Sequence, residues 1–167
     1  MDAVRAMSLI AATMSMGLMA GVFGLYAHTI MPGLGRTDDR TFVGAFQAID
    51  RAIINPWFLA GGFVGALVFT ALAAVLRVSA DRRSVLPWIA VALILYLVVF
   101  VITIGVNVPL NDAIKAAGDP DRIADPAMVR ERFDEARWVA WNNVRTLAST
   151  AAFGCLAWAL VLFGRAT

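Results

Sequence analysis

Residues 86–106 read LPWIAVALILYLVVFVITIGV, and this uninterrupted apolar run decides the class of fold. The run contains no Asp, Glu, Lys or Arg. At about 1.5 Å of rise per residue, a helix of this length crosses the roughly 30 Å hydrocarbon core of a bilayer. Pro87 stands near its beginning, where a helix tolerates proline. The stretch therefore predicts a membrane-spanning helix.

Three further runs of the same kind cover residues 6–30, 57–76 and 146–164, and none of them contains a charged side chain. A cleaved signal peptide is the alternative for the first run, but its apolar region is usually only about 7–15 residues long. Pro32 and Gly33 are predicted to end the first helix. The sequence therefore predicts an all-α membrane protein, a four-transmembrane-helix bundle that forms a single domain over residues 1–167.

The link between the first and second spans is predicted to contain an amphipathic helix. Asp38 or Asp39 can cap its start, and Asn55-Pro56 precedes the second span. An apolar residue recurs on one helical face at Phe42, Ala45, Phe46, Ile49, Ala52 and Ile53. Such a helix lies on the membrane or folds over the end of the bundle.

A second amphipathic helix is predicted between the third and fourth spans. Gly118-Asp119-Pro120-Asp121 is typical of a turn, and Asp125 before Pro126 indicates a helix start. The apolar stripe of this helix comprises Val129, Phe133, Ala136 and Ala140. We expect the helix to run on through Trp141 into the fourth span.

The charges of the links bear on orientation. The short link between the second and third spans carries Arg77, Arg82 and Arg83 against Asp81. This excess favours the cytoplasmic side for that link, and both termini would then be cytoplasmic too. The two longer links hold more Lys and Arg in total, which argues for the reverse. The expected location is the bacterial inner (cytoplasmic) membrane.

Composition excludes several kinds of site. With one cysteine, Cys155, and one histidine, His28, the chain can form neither an internal disulfide nor a zinc site made of Cys and His. Haem with His28 as its single axial ligand is compatible with this count. Copper is a further alternative, although methionines more often serve packing; the candidates are Met7, Met14, Met16 and Met19. No cofactor is predicted, and no basic tract interleaved with aromatics indicates a nucleic-acid partner.

Two ionisable side chains lie near the predicted membrane edge. His28 stands near the end of the first span, where an ionisable group is a functional candidate. It can accept a proton, ligate haem or bind a substrate, or it simply marks the interface beside Tyr26. Asp50 follows Gln47 near the end of the first amphipathic helix. The alternative is a purely structural role for Asp50, in an ion pair with Arg51 or with an arginine of the other link.

Trp138, Trp141 and Arg145 follow one another at i, i+3 and i+7, with Asn142 beside them, and we expect the first three to share a helical face. Two aromatic rings and a guanidinium can hold a flat aromatic or quinone-like molecule and stabilise a developing oxyanion. The alternative is an aromatic belt with a basic anchor at the interface.

The segment Asn107-Val-Pro-Leu-Asn111-Asp112 is predicted to close the third span. Two amides on either side of a proline offer hydrogen-bond donors and acceptors at a fixed bend of the backbone. The alternative is that these residues only terminate the helix.

Four segments, in this order, resemble the DUF1772, or anthrone oxygenase-like, family of small membrane proteins. They are Met31-Pro-Gly-Leu34, Phe46-Gln-Ala-Ile-Asp-Arg-Ala-Ile-Ile-Asn-Pro-Trp57, Asn107-Val-Pro-Leu-Asn111 and Trp138-Val-Ala-Trp-Asn-Asn-Val-Arg-Thr146. The resemblance covers almost the whole chain. Asp50 departs from it, since the family is expected to have Asn there. Some members oxidise anthrones to anthraquinones in aromatic polyketide pathways.

The resemblance implies a membrane-embedded oxygenase or oxidase acting on a lipophilic anthrone-like or hydroquinone-like aromatic. His28 or Asp50 would remove a proton, and Arg145 with Asn111 or Asn142 would hold the resulting oxyanion for reaction with O2. Substrate contacts are also expected from Gln47, Asn107, Trp138 and Trp141.

Two alternatives to an oxygenase stay open. One is a non-catalytic accessory subunit that binds a membrane lipid, a quinone or a partner helix. The other is a haem or copper redox protein. A small transporter is a further hypothesis with less support, since no charged residue lies in the middle of a span. The spacings Gly17-xxx-Gly21 and Gly61-xxx-Gly65 allow close helix packing. A homo-oligomer is compatible with them.

Overall fold

The computed structural model describes residues 2–78 and 83–165, and these ranges contain helices and turns but no strand. Asp81 and Arg82 of the short basic link therefore lie outside the described residues. The helices are α1 (Ala3–Leu34), α2 (Asp39–Ile53), α3 (Trp57–Val78), α4 (Leu86–Ala116), α5 (Pro126–Phe133) and α6 (Glu135–Gly164).

Within the described ranges, α1, α3, α4 and α6 are long and apolar enough to cross a membrane, which confirms the predicted fold class. The chain is an integral membrane protein. α1 packs between α3 and α6, and α4 packs between the same two helices, so the four spans form a closed ring. The α1–α3 and α4–α6 connections lie at one end of this ring. The end of α3 at Val78, the start of α4 at Leu86, the start of α1 and the end of α6 lie at the other.

Close packing rather than a hydrophobic driving force holds membrane helices together. The core of the ring includes fully buried Leu9, Met16, Tyr96 and Leu156. Gly17 allows α1 to approach α6, because a Cβ built at this position would lie 2.9 Å from Cε2 of Phe153. The helices therefore meet at a distance that depends on small residues.

Two spanning helices continue through prolines that were predicted to end them. α1 runs past Pro32 to Leu34, and α4 runs past Pro109 to Ala116. In both helices a π turn comes immediately before the proline. The Met31 amide donates to the Tyr26 carbonyl and the Val108 amide to the Thr103 carbonyl, five residues back in each case. The wide turn accommodates the proline, which cannot donate a hydrogen bond.

A third π turn occupies Trp57–Phe63 at the start of α3. Carbonyls in or beside the π turns accept hydrogen bonds from side chains of neighbouring helices. Tyr96 Oη donates to the Phe63 carbonyl at 2.9 Å, and Ser15 Oγ donates to the Gly61 carbonyl at 2.8 Å. These bonds satisfy backbone groups that would otherwise be costly in a membrane.

We call α2, α5 and the residues that join them to the spanning helices the hairpin cap, because they fold over one end of the ring. α2 packs against α5 and the end of α4. Aromatic rings fill the space beneath: the Phe46 ring lies 4.5 Å from that of Phe133 and 5.7 Å from that of Trp138, centroid to centroid. Of the two predicted placements, α2 therefore adopts the one over the bundle.

The start of α2 is as predicted, but its buried face is not. Asp38 caps the helix by accepting hydrogen bonds from Thr41 N at 3.0 Å and Thr41 Oγ1 at 2.6 Å, and these bonds hold the pKa of Asp38 below its usual value. The buried residues are Phe42, Val43, Phe46, Gln47 and Asp50. The predicted face was wrong towards its end, where Ala52 is exposed, because Gln47 and Asp50 find partners inside.

The predicted helix through Trp141 into the fourth span is observed in α6, but it is not continuous with the helix that begins at Pro126. Asp134, with φ 53°, breaks it between α5 and α6, and its carboxylate caps α6 through the Arg137 amide. Ala136 and Ala140 of the predicted stripe are consequently exposed. The caps at Asp125 and the turn at Gly118, with φ 85°, are confirmed.

Arg130 ties the hairpin cap together. Its guanidinium bonds to Glu135 Oε2 at 2.8 Å and to Asp39 Oδ1 at 3.1 Å, and it also donates to the carbonyls of Gly35 and Thr37. One side chain thereby joins α5 to the start of α2, to the start of α6 and to the turn after α1.

Candidate functional site

A cavity of about 210 Å³ lies beneath the hairpin cap. Its walls come from α1, α2, α3, α4 and α6, and all three π turns border it. Such turns inside α-helices frequently occur at functional sites. The lining residues are Val22, Phe23, Tyr26, Phe46, Asp50, Ile53, Ile54, Phe58, Leu59, Phe63, Thr103, Val108, Asn111, Asp112, Lys115, Trp138 and Arg145.

Arg145 supplies the positive charge of the cavity. The side chain is only 5% exposed. Its Nη1 donates to Thr103 Oγ1 at 3.2 Å and its Nη2 to Asn142 Oδ1 at 2.9 Å, and the guanidinium lies 4.6 Å from the Phe23 ring centroid. Among the residues that the structure describes, no carboxylate forms an ion pair with it. A buried cation held only by neutral groups is costly, which makes Arg145 a candidate to bind a ligand oxygen.

Asn142 holds Arg145 from behind. It is fully buried and does not line the cavity. Its Nδ2 donates to the Phe23 carbonyl at 3.1 Å, which orients Oδ1 towards the guanidinium. The residue therefore positions Arg145 rather than touching a ligand.

Asp50 belongs to a second group of polar side chains. Trp138 Nε1 donates to Asn111 Oδ1 at 2.7 Å, and Asn111 Nδ2 donates to Asp50 Oδ1 at 2.6 Å. Lys115 Nζ lies 2.7 Å from Asp50 Oδ2 and 3.1 Å from Asp112 Oδ1. The remaining lone pairs of the carboxylate can still accept a proton from a ligand.

The predicted partner of Asp50 was wrong. Arg51 instead donates to Gln47 Oε1 at 3.0 Å, four residues earlier on the same helix. Lys115 takes its place because the end of α4 runs directly past α2.

Two other predicted substrate contacts serve the fold. Gln47 Nε2 donates to the carbonyls of Ile114 at 2.8 Å and Gly118 at 3.1 Å, which ties α2 to the end of α4. Asn107 Nδ2 donates to the Trp138 carbonyl at 3.3 Å. Neither residue lines the cavity.

His28 and Trp141 are not brought to the cavity. His28 is exposed, and its Nδ1 lies 2.6 Å from Thr29 Oγ1. Trp141 is also exposed, because the buried face of α6 contains Trp138, Asn142 and Arg145, so the shared face predicted for both tryptophans was wrong.

The candidate metal ligands do not converge. Met16 and Met19 are buried within the ring, whereas Met7 and Met14 are exposed. Within residues 2–78 and 83–165 no group of three or more His, Cys, Asp or Glu side chains is placed to hold a metal ion.

The lining residues that were not predicted from the sequence include Tyr26, Thr103 and Lys115. The Tyr26 ring lies 5.6 Å from that of Trp138. Lys115 carried a signal, because it follows Asn111 by four residues and so lies on the same face of a helix. Thr103 is one polar residue in an apolar run, and only its contact with Arg145 distinguishes it.

A family model described as anthrone oxygenase matches residues 56–155. The match includes Asn111, Trp138 and Arg145. Tyr26 and Asp50 precede its first residue and lie outside it. Comparison with curated proteins and with solved structures found no match.

Proposed function

The chain belongs to the anthrone oxygenase family, and on that premise we propose that it is a membrane-embedded oxygenase that oxidises a lipophilic anthrone-like or hydroquinone-like aromatic with O2. The observation that carries the proposal is a single cavity in which Arg145 and Asp50 border aromatic walls. The family match supports an oxygenase-type function, and the cavity supports this choice of substrate.

The two charged residues suit the first step of such a reaction. The central methylene of an anthrone is acidic because the negative charge left by its proton spreads onto the ketone oxygen. Asp50 removes that proton as the general base, and Arg145 donates hydrogen bonds to the oxygen that becomes negative. Trp138 forms one wall for the fused rings. Its Nε1 is linked to Asp50 through Asn111, and its ring lies beside the guanidinium of Arg145.

The remaining steps need no reactant other than the substrate anion and O2. The carbanion gives its electrons to O2, a carbon–oxygen bond forms, and protonated Asp50 returns its proton to the peroxide anion, which yields a hydroperoxide at the former methylene and frees Asp50 to act as the base again. Removal of the second hydrogen from that carbon breaks the O–O bond and expels hydroxide, which takes the proton from Asp50 and leaves as water. One oxygen atom ends in the new carbonyl of the quinone and the other in water.

The size and the mostly apolar lining of the cavity support a compact ligand. Its volume of about 210 Å³ is smaller than the roughly 300–1,000 Å³ of sites for drug-sized molecules. Phe23, Phe63 and Trp138 present flat faces or edges to it, which favours a planar fused-ring molecule. Water exclusion strengthens the interaction between Arg145 and a developing oxyanion.

We propose further that the reaction needs no resident cofactor, because the substrate anion itself supplies the electrons to O2. The visible spectrum and the metal content of the purified protein test this. A Soret band that disappears in His28→Ala, or stoichiometric copper lost on replacing Met7, Met14, Met16 and Met19, would establish the redox-protein alternative instead.

The proposed activity is tested with purified protein in lipid nanodiscs and an anthrone as substrate. We expect quinone formation above the spontaneous rate, with one O2 consumed for each quinone, followed by absorbance and by an oxygen electrode. A rate equal to that of empty nanodiscs, over a panel of anthrones and hydroquinones, contradicts the proposal.

One observation favours a second candidate, a non-catalytic subunit that holds a lipid or quinone in the same cavity. Both oxygens of Asp50 already have partners, Asn111 and Lys115, so the carboxylate is partly committed to structure. Stoichiometric binding of a quinone without oxygen consumption, or a stable partner that co-purifies, distinguishes this candidate.

For location we propose the bacterial inner membrane, with both termini in the cytoplasm and the hairpin cap outside. The support is the arginine excess of the short α3–α4 link.

A further inference from the structure

The cavity has an open side, and its rim can be identified from side chains that both line the cavity and are exposed. These are Ile54, 55% exposed, Leu59, 39% exposed, and Val108, 40% exposed. The opposite wall, with Trp138 and Arg145, is buried. The opening therefore lies between the start of α3 and the second half of α4.

The π turn of α3 helps to part these two helices. Its residues, Trp57–Phe63, pack against α1. α3 meets α4 at the end of this turn, where the Phe63 ring stacks on Phe100 at 4.9 Å and the Phe63 carbonyl accepts from Tyr96 Oη. That contact forms the floor of the opening, and above it the helices are separated by the cavity.

The rim changes from apolar to charged along α4. Val108 is apolar, whereas Asp112, whose side chain is 64% exposed, pairs with Lys115. Asp112 lies four residues beyond Val108, which corresponds to about 6 Å along the helix axis. Trp57, an exposed aromatic residue next to the lining residues Phe58 and Leu59, is typical of a membrane interface. The lower rim therefore faces acyl chains and the upper rim faces headgroups.

We infer that the cavity takes its ligand sideways from the bilayer, through the opening between Leu59 and Val108, with the oxygen of the ligand directed to Arg145. This rests on the proposed function for the chemistry of the ligand. The ligand class is a flat aromatic with an oxygen that can carry negative charge and with no permanently charged group, because a permanent charge keeps a molecule out of the acyl layer. Leu59 and Val108 then determine which shapes enter.

The first experiment uses the unmodified protein in liposomes and needs no variant. The probe is 1-hydroxyanthraquinone, which partitions into lipid and whose visible absorption shifts when its hydroxyl ionises or binds. If entry is from the bilayer, the association rate at a fixed free aqueous concentration of the probe should rise in proportion to its partition coefficient, which is varied through the cholesterol content of the liposomes. The water-soluble anthraquinone-2-sulfonate should show no saturable association. A rate that follows the free aqueous concentration of the probe whatever its partition coefficient, an equally fast sulfonate, or no saturable binding of the hydroxyanthraquinone overturns the inference.

The second experiment narrows the opening. Leu59→Trp and Val108→Trp should slow both association and dissociation of 1-hydroxyanthraquinone by about tenfold, with a smaller change in affinity, because the site around Arg145 is untouched. Val68→Trp is the matched control, since Val68 is exposed on α3 away from the cavity. Unchanged rates in both rim variants, or an equal effect of the control, overturn the inference.

These measurements separate the route from the reaction, since neither needs turnover. If association follows the partition coefficient as expected but no oxygen is consumed with any anthrone, the proposed function fails and the route of entry stands. If quinone forms while association follows the aqueous concentration of probe, the route fails and the proposed function stands.

Discussion

At the scale of single residues, the cavity separates two charges by giving each a different kind of partner. Asp50 bonds to an amide and an ammonium group, Asn111 and Lys115. Arg145 bonds to a hydroxyl and an amide, Thr103 and Asn142, and has no carboxylate partner among the described residues. The carboxylate therefore has a partner on each oxygen, while the guanidinium contacts only neutral groups among the described residues.

Replacing the proposed base tests its role directly. Asp50→Asn keeps the size of the side chain but cannot accept a proton, so kcat for quinone formation should fall by about 10²-fold or more. Asp121→Asn, an exposed position outside the cavity, is the control and should keep the wild-type rate. Because the family is expected to have Asn here, full activity in Asp50→Asn would assign proton removal to another group.

The proposed oxyanion contact predicts a graded series at position 145. Arg145→Gln should lower kcat by about 10²–10³-fold, as expected for loss of a preorganised donor. Arg145→Lys should restore part of the rate, because it keeps the charge but not the planar fork. Arg137→Gln, an exposed arginine on the same helix, should have no effect on quinone formation. Equal rates in all three variants would exclude Arg145 from the reaction.

At the scale of elements, the π turns set the direction of the functional side chains. One extra residue in a helical turn rotates everything after it by about 100° relative to a regular α-helix. In α4 the π turn at Thr103–Asn107 precedes Asn111 and Lys115. Without it these residues would point away from α2 and α6, so the site depends on this irregularity.

This dependence predicts the effect of removing a proline. Pro109→Ala lets α4 become a regular helix, which moves Asn111 away from Trp138 and Asp50. We expect turnover to fall by about 10²-fold while the melting temperature does not decrease, since alanine favours a helix interior. Pro87→Ala, at the start of α4 and without a π turn, is the control. Normal turnover in Pro109→Ala would show that the π turn does not need its proline.

The hairpin cap makes a separate prediction about stability. Arg130→Ala removes the ion pairs that join α5 to α2 and α6, and should cost about 1–2 kcal/mol after allowance for partial exposure. Hydrogen exchange should accelerate at the amides of residues 36–42 and 126–137. Arg132→Ala, an exposed neighbour, should leave exchange unchanged. Unaltered exchange in Arg130→Ala would mean that the aromatic cluster alone holds the cap.

At the scale of the whole molecule, an even number of spans places the hairpin cap on one side and the α3–α4 link with the termini on the other. The ring order α1–α3–α4–α6 puts consecutive spans side by side. The cavity therefore lies at one membrane face, with its roof made by the cap and its floor at Phe63 in the bundle.

Labelling of single cysteines tests this arrangement and the proposed orientation. In a Cys155→Ser background, Arg36→Cys and Asp119→Cys should react with an impermeant maleimide in cells whose inner membrane is intact. Ser84→Cys should react only after that membrane is opened. Opposite behaviour of Arg36→Cys and Asp119→Cys would contradict the topology, and labelling of Ser84→Cys alone in intact cells would reverse the orientation.

The sequence by itself determined the membrane class, the four spans and the helix caps at Asp38 and Asp125. Each of these depends on local signals, either a run of apolar residues as long as the bilayer is thick or a carboxylate next to free backbone amides. Asp50, Asn111, Trp138 and Arg145 were also predicted from the sequence as site residues, since polar groups near a membrane edge are few, and all four line one cavity.

Only the tertiary structure decided which of the remaining candidates turn inwards. The prolines at positions 32 and 109 do not end their helices, because π turns and packing in the ring accommodate them, and those turns fix the rotation of the residues that follow. His28 and Trp141 face outwards, whereas Tyr26, Thr103 and Lys115 reach the cavity. Helical phase after an irregular turn depends on neighbouring helices, so the local sequence cannot specify it.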